Sequence, residues 1–186
     1  MAISKILKLD KSGGIDIPLD SHIGLLSGVI HLGIQKNSWK GVESLVDQVL
    51  LQFELQDILT DKGKPVVVSK IQRLSMKSKA NLLIITKALG ANVDDGFDFH
   101  DLIGKPIIVN MGHNADKTKV KIKDFSPLPK LLLKEVKPLM GTPKVWLDVD
   151  EITESQKSEL SEWIQKLING RVKENNASQD DESIEL

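Results

Sequence analysis

The 186-residue chain contains no cysteine and no tyrosine, and its aromatic residues are limited to three Trp and four Phe. The absence of cysteine excludes disulfides, zinc–thiolate sites and cysteine nucleophiles, and it fits a reducing compartment. No apolar run approaches the roughly 18 residues of a membrane-spanning helix, and the N-terminal residues lack the apolar segment of a secretory signal. We therefore expect a soluble intracellular protein without a membrane partner, long enough for one domain with its own core.

Acidic residues are absent from residues 62–90, which contain seven Lys and Arg. Residues 174–186, in contrast, contain five acidic residues and no Lys or Arg, so the preceding residues carry a net charge of +4 in a chain whose total is −1. Blocks of one sign are typical of disordered interaction tails, and this block has too few apolar residues to offset the entropy lost on ordering. The sequence therefore predicts a basic body and a disordered acidic tail.

Alternating apolar residues predict five β-strands, at residues 22–35, 47–56, 66–71, 102–112 and 117–125. Gly24, Gly28 and Gly33 fall inside the first strand and predict sharp bends or bulges there. Residues 36–44 are predicted to be a loop, residues 60–64 a hairpin turn and residues 126–144 an extended, proline-containing linker.

Two helices are predicted beside these strands. The first covers residues 80–89, with Ser78 as N-cap and Gly90 as the stop, and it is apolar nearly all round, so it should pack against a core. The second covers residues 153–169, where Thr153 and Gln156 fit a capping box. Its apolar residues recur at helical spacing: Leu160, Trp163, Ile164, Leu167 and Ile168.

The predicted order is three strands, a helix, two strands and a last helix. Five strands with a helix between the third and fourth are typical of the OB fold, a partly open barrel that binds oligonucleotides or oligosaccharides. We therefore expect a mainly β protein with some α structure, built on a five-stranded OB-fold barrel. Its parts would be an irregular arm at residues 1–20, the OB domain at 21–145, an amphipathic helix packed on it at 146–171, and the disordered tail at 172–186.

Catalytic patterns are weak in this sequence. The four histidines have no metal-binding spacing; they are His22, His31, His100 and His113. Asp148 and Asp150 could hold Mg²⁺ in a nuclease, but acidic residues before a helix are better explained by its dipole. We therefore expect no enzyme, no metal and no cofactor.

Nucleic-acid binding explains the charge pattern better. A groove that follows a single strand needs several cationic side chains on one surface and an aromatic side chain on which a base can stack. Any one lysine on alternate strand positions is explained by an edge that resists aggregation, but the absence of acidic residues favours a shared binding surface. The candidates are Lys36, Trp39, Lys40, Lys70, Arg73, Lys77, Lys79, Lys105, Lys119, Lys121 and Lys123.

Trp39 has two interpretations, because it either stacks on a base or folds back over the end of the barrel. Three other aromatic residues, Phe53, Phe125 and Trp163, are predicted to lie in the core.

Six segments carry a family resemblance, in this order: HLGIQ followed by SWKG; VLLQFEL; GKPVVVSKIQRLSMKSKANL; LIGKPIIVNMGH; FSPLP; and WLDVDEITESQKSELSEWIQKLI. With these segments the chain resembles the single-stranded-DNA-binding proteins of bacteriophages, which have an OB fold. The resemblance implies coating of single-stranded DNA during replication, recombination or repair in the cytoplasm of an infected bacterium. It assigns DNA contacts to Trp39 and Lys40, to Lys70 and Arg73, and to Lys77, Lys79 and Lys105.

The acidic tail is either inert or competes with DNA for the basic groove and recruits replication or recombination proteins. The tail residues concerned are Asp180, Asp181, Glu182, Ile184, Glu185 and Leu186. The alternative function is a phage structural or scaffolding adaptor that uses an OB-like barrel for protein contacts, because aromatic residues are few and the last helix is strongly amphipathic.

Overall fold

A computed structural model describes residues 17–141 and 143–173, apart from the side chains of residues 144–147. The strands are β1 (Ser21–Trp39), β2 (Val42–Leu59), β3 (Pro65–Arg73), β4 (Pro106–His113), β5 (Val120–Ser126) and β6 (Lys144–Asp148). The α-helices are α1 (Asn81–Ala88), α2 (Glu154–Ser158) and α3 (Glu162–Asn169), and 3-10 turns lie at Phe99–Leu102 and Lys130–Glu135. Most of the predicted arm and the tail from residue 174, including Asp180, Asp181, Glu182, Ile184, Glu185 and Leu186, lie outside the described residues.

The long hairpin of β1 and β2 is the central element of the fold. Its strands have 19 and 18 residues and stay paired to the tip, where Lys40 and Gly41 form the turn with φ angles of 50° and 79°. Positive φ at both turn residues is the geometry that continues the twist of the two strands. The strand pairing therefore extends through residues 36–44, and the prediction of a loop there is wrong. The predicted bulges are confirmed, since the register of β1 shifts before Gly28 and again before Gly33.

Five antiparallel strands form an open sheet in the order β3-β2-β1-β4-β5. Residues Ser21 to Leu25 of β1 pair with β4, whereas its later residues pair in parallel with β6, so both partners share one edge of β1. Between β3 and β5 the described chain has no strand pairing. The predicted closure into a barrel is therefore wrong, because the two edge strands approach each other without exchanging backbone hydrogen bonds.

The larger apolar core lies on the concave side of this sheet, under α1. Phe53 is fully buried there, and its ring centroid lies 4.9 Å from that of Phe125, as the sequence predicted for both residues. Helix α1 buries four residues but leaves Ile84 53% exposed, so it does not pack all round. Its N-cap is Ala80, not the predicted Ser78, and the predicted stop at Gly90 has a φ of 91°.

A second core lies on the opposite face of β1 and β2, beneath the C-terminal helices. Leu160, Ile164 and Ile168 bury their side chains against the sheet at intervals of four residues. The predicted single helix is interrupted after Ser158, because the backbone of Ser161 is extended and begins a new helix.

Trp163 lies at the edge of this apolar stripe and is 46% exposed, so its predicted place in the core is wrong. The predicted capping box of Thr153 and Gln156 is confirmed.

The segment between β5 and β6 crosses the outer face of β2 and is fixed there by two side chains. Gln56 exchanges two hydrogen bonds with the backbone of Lys137, at 2.5 and 3.0 Å. The buried carboxylate of Glu54 accepts from the backbone N–H groups of Met140 and Gly141, at 2.8 and 3.0 Å. These contacts bring the chain back to β1 as β6, a strand that the sequence analysis missed and that crosses its proposed domain boundary.

Candidate nucleic-acid interface

The seam, meaning the unpaired approach of β3 to β5, is bridged by a lysine. The Lys70 ammonium donates to the backbone carbonyl of Ile122, with a nitrogen–oxygen distance of 3.0 Å. Burial, together with the nearby charge of Lys121, lowers the pKa of Lys70 from its ordinary value. The hydrogen bond from the Lys70 side chain thus takes the place of one backbone hydrogen bond that a closed sheet would make. A second cation, Lys121, lies near it.

A cleft of about 210 Å³ opens at the seam and is covered by the first turns of α1. This seam cleft is lined by Lys70, Gln72, Asn81, Ile84, Ile85, Lys123, Asp124 and Phe125. Three of the predicted DNA-binding lysines therefore converge at one place, since Lys121 lies beside the cleft and the other two line it.

Strand β5 and the residue before it, Lys119, present their lysines as predicted. Ile122 faces the larger core, whereas Lys119, Lys121 and Lys123 are exposed. This alternation follows from the two-residue period of a β-strand. One face of β5 therefore completes the core, and the other adds positive charge at the edge of the sheet.

Lys70 and Arg73 do not share a face. Strand β3 alternates, and its buried side includes Val66, Val68 and Gln72, so Lys70 points inward while Arg73 is exposed on the other side. The loop after β3 carries Lys77 and Lys79, both exposed. Arg73 therefore points away from the seam, and Lys77 and Lys79 are not among the residues that line its cleft, although all of them belong to the same acid-free segment as Lys70.

The tip of the β1–β2 hairpin carries the predicted aromatic residue. Trp39 is 73% exposed, so it does not fold back over the sheet. The Lys40 ammonium lies 5.9 Å from the centroid of its ring, and Lys36 is exposed further down the same strand. We call residues 36–45 the hairpin arm. Lys36, three residues from Trp39, points to the opposite face of β1. An exposed indole with the Lys40 cation beside it is suited to stacking a base and contacting its phosphate.

Lys105 lies apart from these groups. The backbone carbonyl of Lys105 accepts a hydrogen bond from the N–H of Leu26, and the carbonyl of Leu26 accepts one from the N–H of Gly104. The backbone of Lys105, whose side chain is exposed, is therefore held at the β1 edge between β4 and β6, on the side of β1 away from β2 and β3. The single track of eleven residues suggested by the sequence is instead distributed over separate groups.

Sequence reasoning missed Gln72 and Asn81, which supply amide groups to the seam cleft. A signal for Gln72 was present, because it shares the parity of Val66, Val68 and Lys70 on β3 and so had to point inward. For Asn81 no comparable signal existed, since its position depends on how α1 crosses the seam.

A polar cluster around His31 lies away from the seam. Its ring nitrogens are 2.8 Å from a carboxylate oxygen of Asp47 and 3.2 Å from one of Asp148. Burial opposes protonation, but the two carboxylates outweigh it and raise the pKa of His31. Burial likewise opposes ionisation of Asp148, but hydrogen bonds from the Asp150 N–H and from His31 hold its pKa below the ordinary value.

This cluster joins β1, β2 and the end of β6, so it has a structural explanation. Within residues 17–141 and 143–173, no three His, Asp or Glu side chains converge as a metal site.

Comparisons with known proteins give no further guide, since no family model, curated protein or solved structure matches the chain. In the part of the chain that is described, no helix is long and apolar enough to span a membrane.

Proposed function

We propose that this protein is a sequence-tolerant single-stranded-DNA-binding protein built on an opened OB-like sheet. The strand order β3-β2-β1-β4-β5 supports this proposal, because an OB barrel cut between its third and fifth strands has that order. The position of α1, in the connection from β3 to β4 and packed near β3 and β5, also agrees with that fold.

The observation that carries the proposal is the set of unpaired cations at the seam. Lys70, Lys121 and Lys123 form no ion pair among the described residues. Burial lowers the pKa of Lys70, and Lys121 lies close enough to lower it further. Gathering like charges destabilises a folded protein unless they serve a ligand of opposite charge. A polyanion with exposed bases would contact these lysines and could stack on Trp39.

The resemblance to phage proteins suggests the setting. We propose action in phage DNA replication, recombination or repair, with the acidic residues 174–186 contacting replication or recombination proteins. No enzymatic step is part of this proposal.

The direct test is titration with oligo-dT, followed through the fluorescence of the three Trp residues at several salt concentrations. Each phosphate contact on a single strand lowers the slope of log K against log salt by about 0.7. If the three seam lysines alone contact phosphates, the slope of log K against log salt should be about −2. Contacts from the hairpin arm would make this slope steeper. Absence of binding at low salt would overturn the proposal.

A second candidate, a phage structural or scaffolding adaptor, is favoured by one specific observation. The hairpin arm exposes Trp39, Val42 and Leu45 by 73%, 68% and 61%, and such exposed apolar residues also suit a protein partner. Recovery of the protein from purified virions, together with no affinity for oligo-dT, would favour this candidate over DNA binding.

A further inference from the structure

The seam cleft contains a polar group that the fold leaves without a hydrogen-bonding partner. Gln72 is only 8% exposed, yet its side-chain amide forms no hydrogen bond within the described part of the chain. Every fully buried side-chain nitrogen or oxygen in that part has a hydrogen-bonding partner. Because the amide of Gln72 has none, it is not fully buried and must reach the open space of the cleft that Gln72 lines. An amide in this position destabilises the empty protein unless water or a ligand satisfies it.

The charges around the cleft define what this ligand can be. Two lysines, Lys70 and Lys123, line the cleft, and Lys121 lies beside it. Among the residues that line the cleft, these positive charges are opposed by one carboxylate, that of Asp124. That carboxylate already accepts a hydrogen bond from Asn110. An anion would offset both effects that disfavour a charged Lys70, namely its burial and the repulsion from Lys121.

Helix α1 adds further donors at the same place. Asn81, its first residue, lines the cleft, and the N-cap Ala80 has no side-chain oxygen to satisfy the N–H groups of the first turn. That turn also contains no acidic residue. Uncapped N–H groups favour an anion, so the helix agrees with the lysines and with Gln72.

From this arrangement we propose that the seam cleft binds one phosphate group. The amides of Gln72 and Asn81 donate to its oxygens, and Lys70 and Lys123 neutralise its charge. A phosphate offers several acceptor oxygens to these donors, whereas a base would need an open aromatic face, and the Phe125 ring packs on Phe53. Resting on the proposed function, the phosphate is a phosphodiester of the bound single strand.

The test replaces Gln72 by Met, which keeps the shape of the side chain and removes its amide. Removing an amide that forms no hydrogen bond within the protein should leave the melting temperature unchanged or raised, because no internal hydrogen bond is lost. Affinity for oligo-dT should fall about tenfold, as for loss of one hydrogen bond to a charged group. The salt slope should not change, since no cation is removed.

The matched control is Gln35→Met, at a residue that is also 8% exposed but donates to the carbonyls of Leu32 and Leu167. This control should lower the melting temperature and leave affinity unchanged. Melting temperatures of the wild type and Gln72→Met are also compared in sodium phosphate and in sodium chloride of equal ionic strength. The wild type should be stabilised specifically by phosphate, and the variant should not.

These arms separate the possible failures. If Gln72→Met keeps full affinity but loses the phosphate effect, the cleft binds free phosphate and the assignment to the DNA strand is overturned. If neither measurement changes, the site itself is overturned. If the wild type is stabilised by phosphate but does not bind oligo-dT, the proposed function fails while the phosphate site stands.

Discussion

Replacement of Trp39 by Ala tests whether the hairpin arm binds DNA. Because Trp39 is 73% exposed, its removal uncovers little apolar surface, and its cation–π contact with Lys40 is worth only about 0.5–1 kcal/mol at an exposed site. We therefore expect the free energy of unfolding to fall by no more than about 1 kcal/mol. Loss of one stacked base should weaken binding by about 1–3 kcal/mol, which is roughly 5- to 150-fold in Kd.

The assay is competition for a fluorescein-labelled oligo-dT, measured by anisotropy, because the substitution removes one of the intrinsic fluorophores. Trp163→Ala is the matched control, since this second Trp is 46% exposed on α3 beside the other core. It should leave Kd unchanged. A folded Trp39→Ala protein with the wild-type Kd would refute the assignment of base stacking to the hairpin arm.

Three further substitutions test the seam, the contacts of Glu54 and the histidine cluster. Lys70→Met removes the hydrogen bond to the Ile122 carbonyl, so it should lower the free energy of unfolding in urea titrations by about 1 kcal/mol. It should also reduce the salt slope of DNA binding by about 0.7, because one phosphate contact is lost. Unchanged stability would show that this bond does not hold the seam. Glu54→Gln replaces one of the two accepting oxygens by an NH2 group, which then faces a backbone N–H as donor against donor. This should cost about 2 kcal/mol of unfolding free energy, and a loss below about 0.5 kcal/mol would contradict the role of Glu54 in fixing the segment before β6. Because the pKa of His31 is raised above 6.5, its contribution to stability is complete below that pH and is lost as the pH rises through the folded-state pKa. His31→Gln should therefore reduce the fall in melting temperature over that rise in pH, but only in part, because the pKa of His22 is raised as well. An unchanged pH profile would argue against a stabilising role of the His31 cluster.

The parts of the fold that depend on local pattern could be predicted from the sequence. Alternation located β5 and its exposed lysines, and the spaced glycines located both irregularities of β1. The capping box of Thr153 with Gln156 marked the start of α2. In each case neighbouring residues along the chain contain the whole physical reason, namely side-chain period, backbone freedom or a reciprocal hydrogen bond.

Features that depend on distant contacts could not be predicted in the same way. The hairpin arm was taken for a loop because its exposed residues alternate weakly, although two strands can pair through their backbones without burying side chains. Strand β6 was missed because its five residues need β1 as a partner. The approach of β3 to β5 depends on the curvature of the whole sheet, so the meeting of Lys70 with Lys121 had no local signal.

The candidate site was predicted in residue type more successfully than in arrangement. An acid-free segment indicated cationic function, but strand parity places Lys70 and Arg73 on opposite faces, and this could have been deduced from their spacing of three residues. Closer attention to parity would also have identified Gln72. The separate position of Lys105 could not have been deduced, because it follows from the pairing of β1 with two different partners.

The β1–β2 hairpin belongs to both apolar cores at once. Val29 packs in the larger core and Ile30, its neighbour in sequence, in the smaller one; Leu51 and Leu50 of β2 divide in the same way. Detaching α3 would therefore expose one side of the strands that support the other core. The C-terminal helices and the sheet are consequently a single cooperative unit of unfolding, and truncation before α2 would weaken the entire molecule rather than remove an independent appendage.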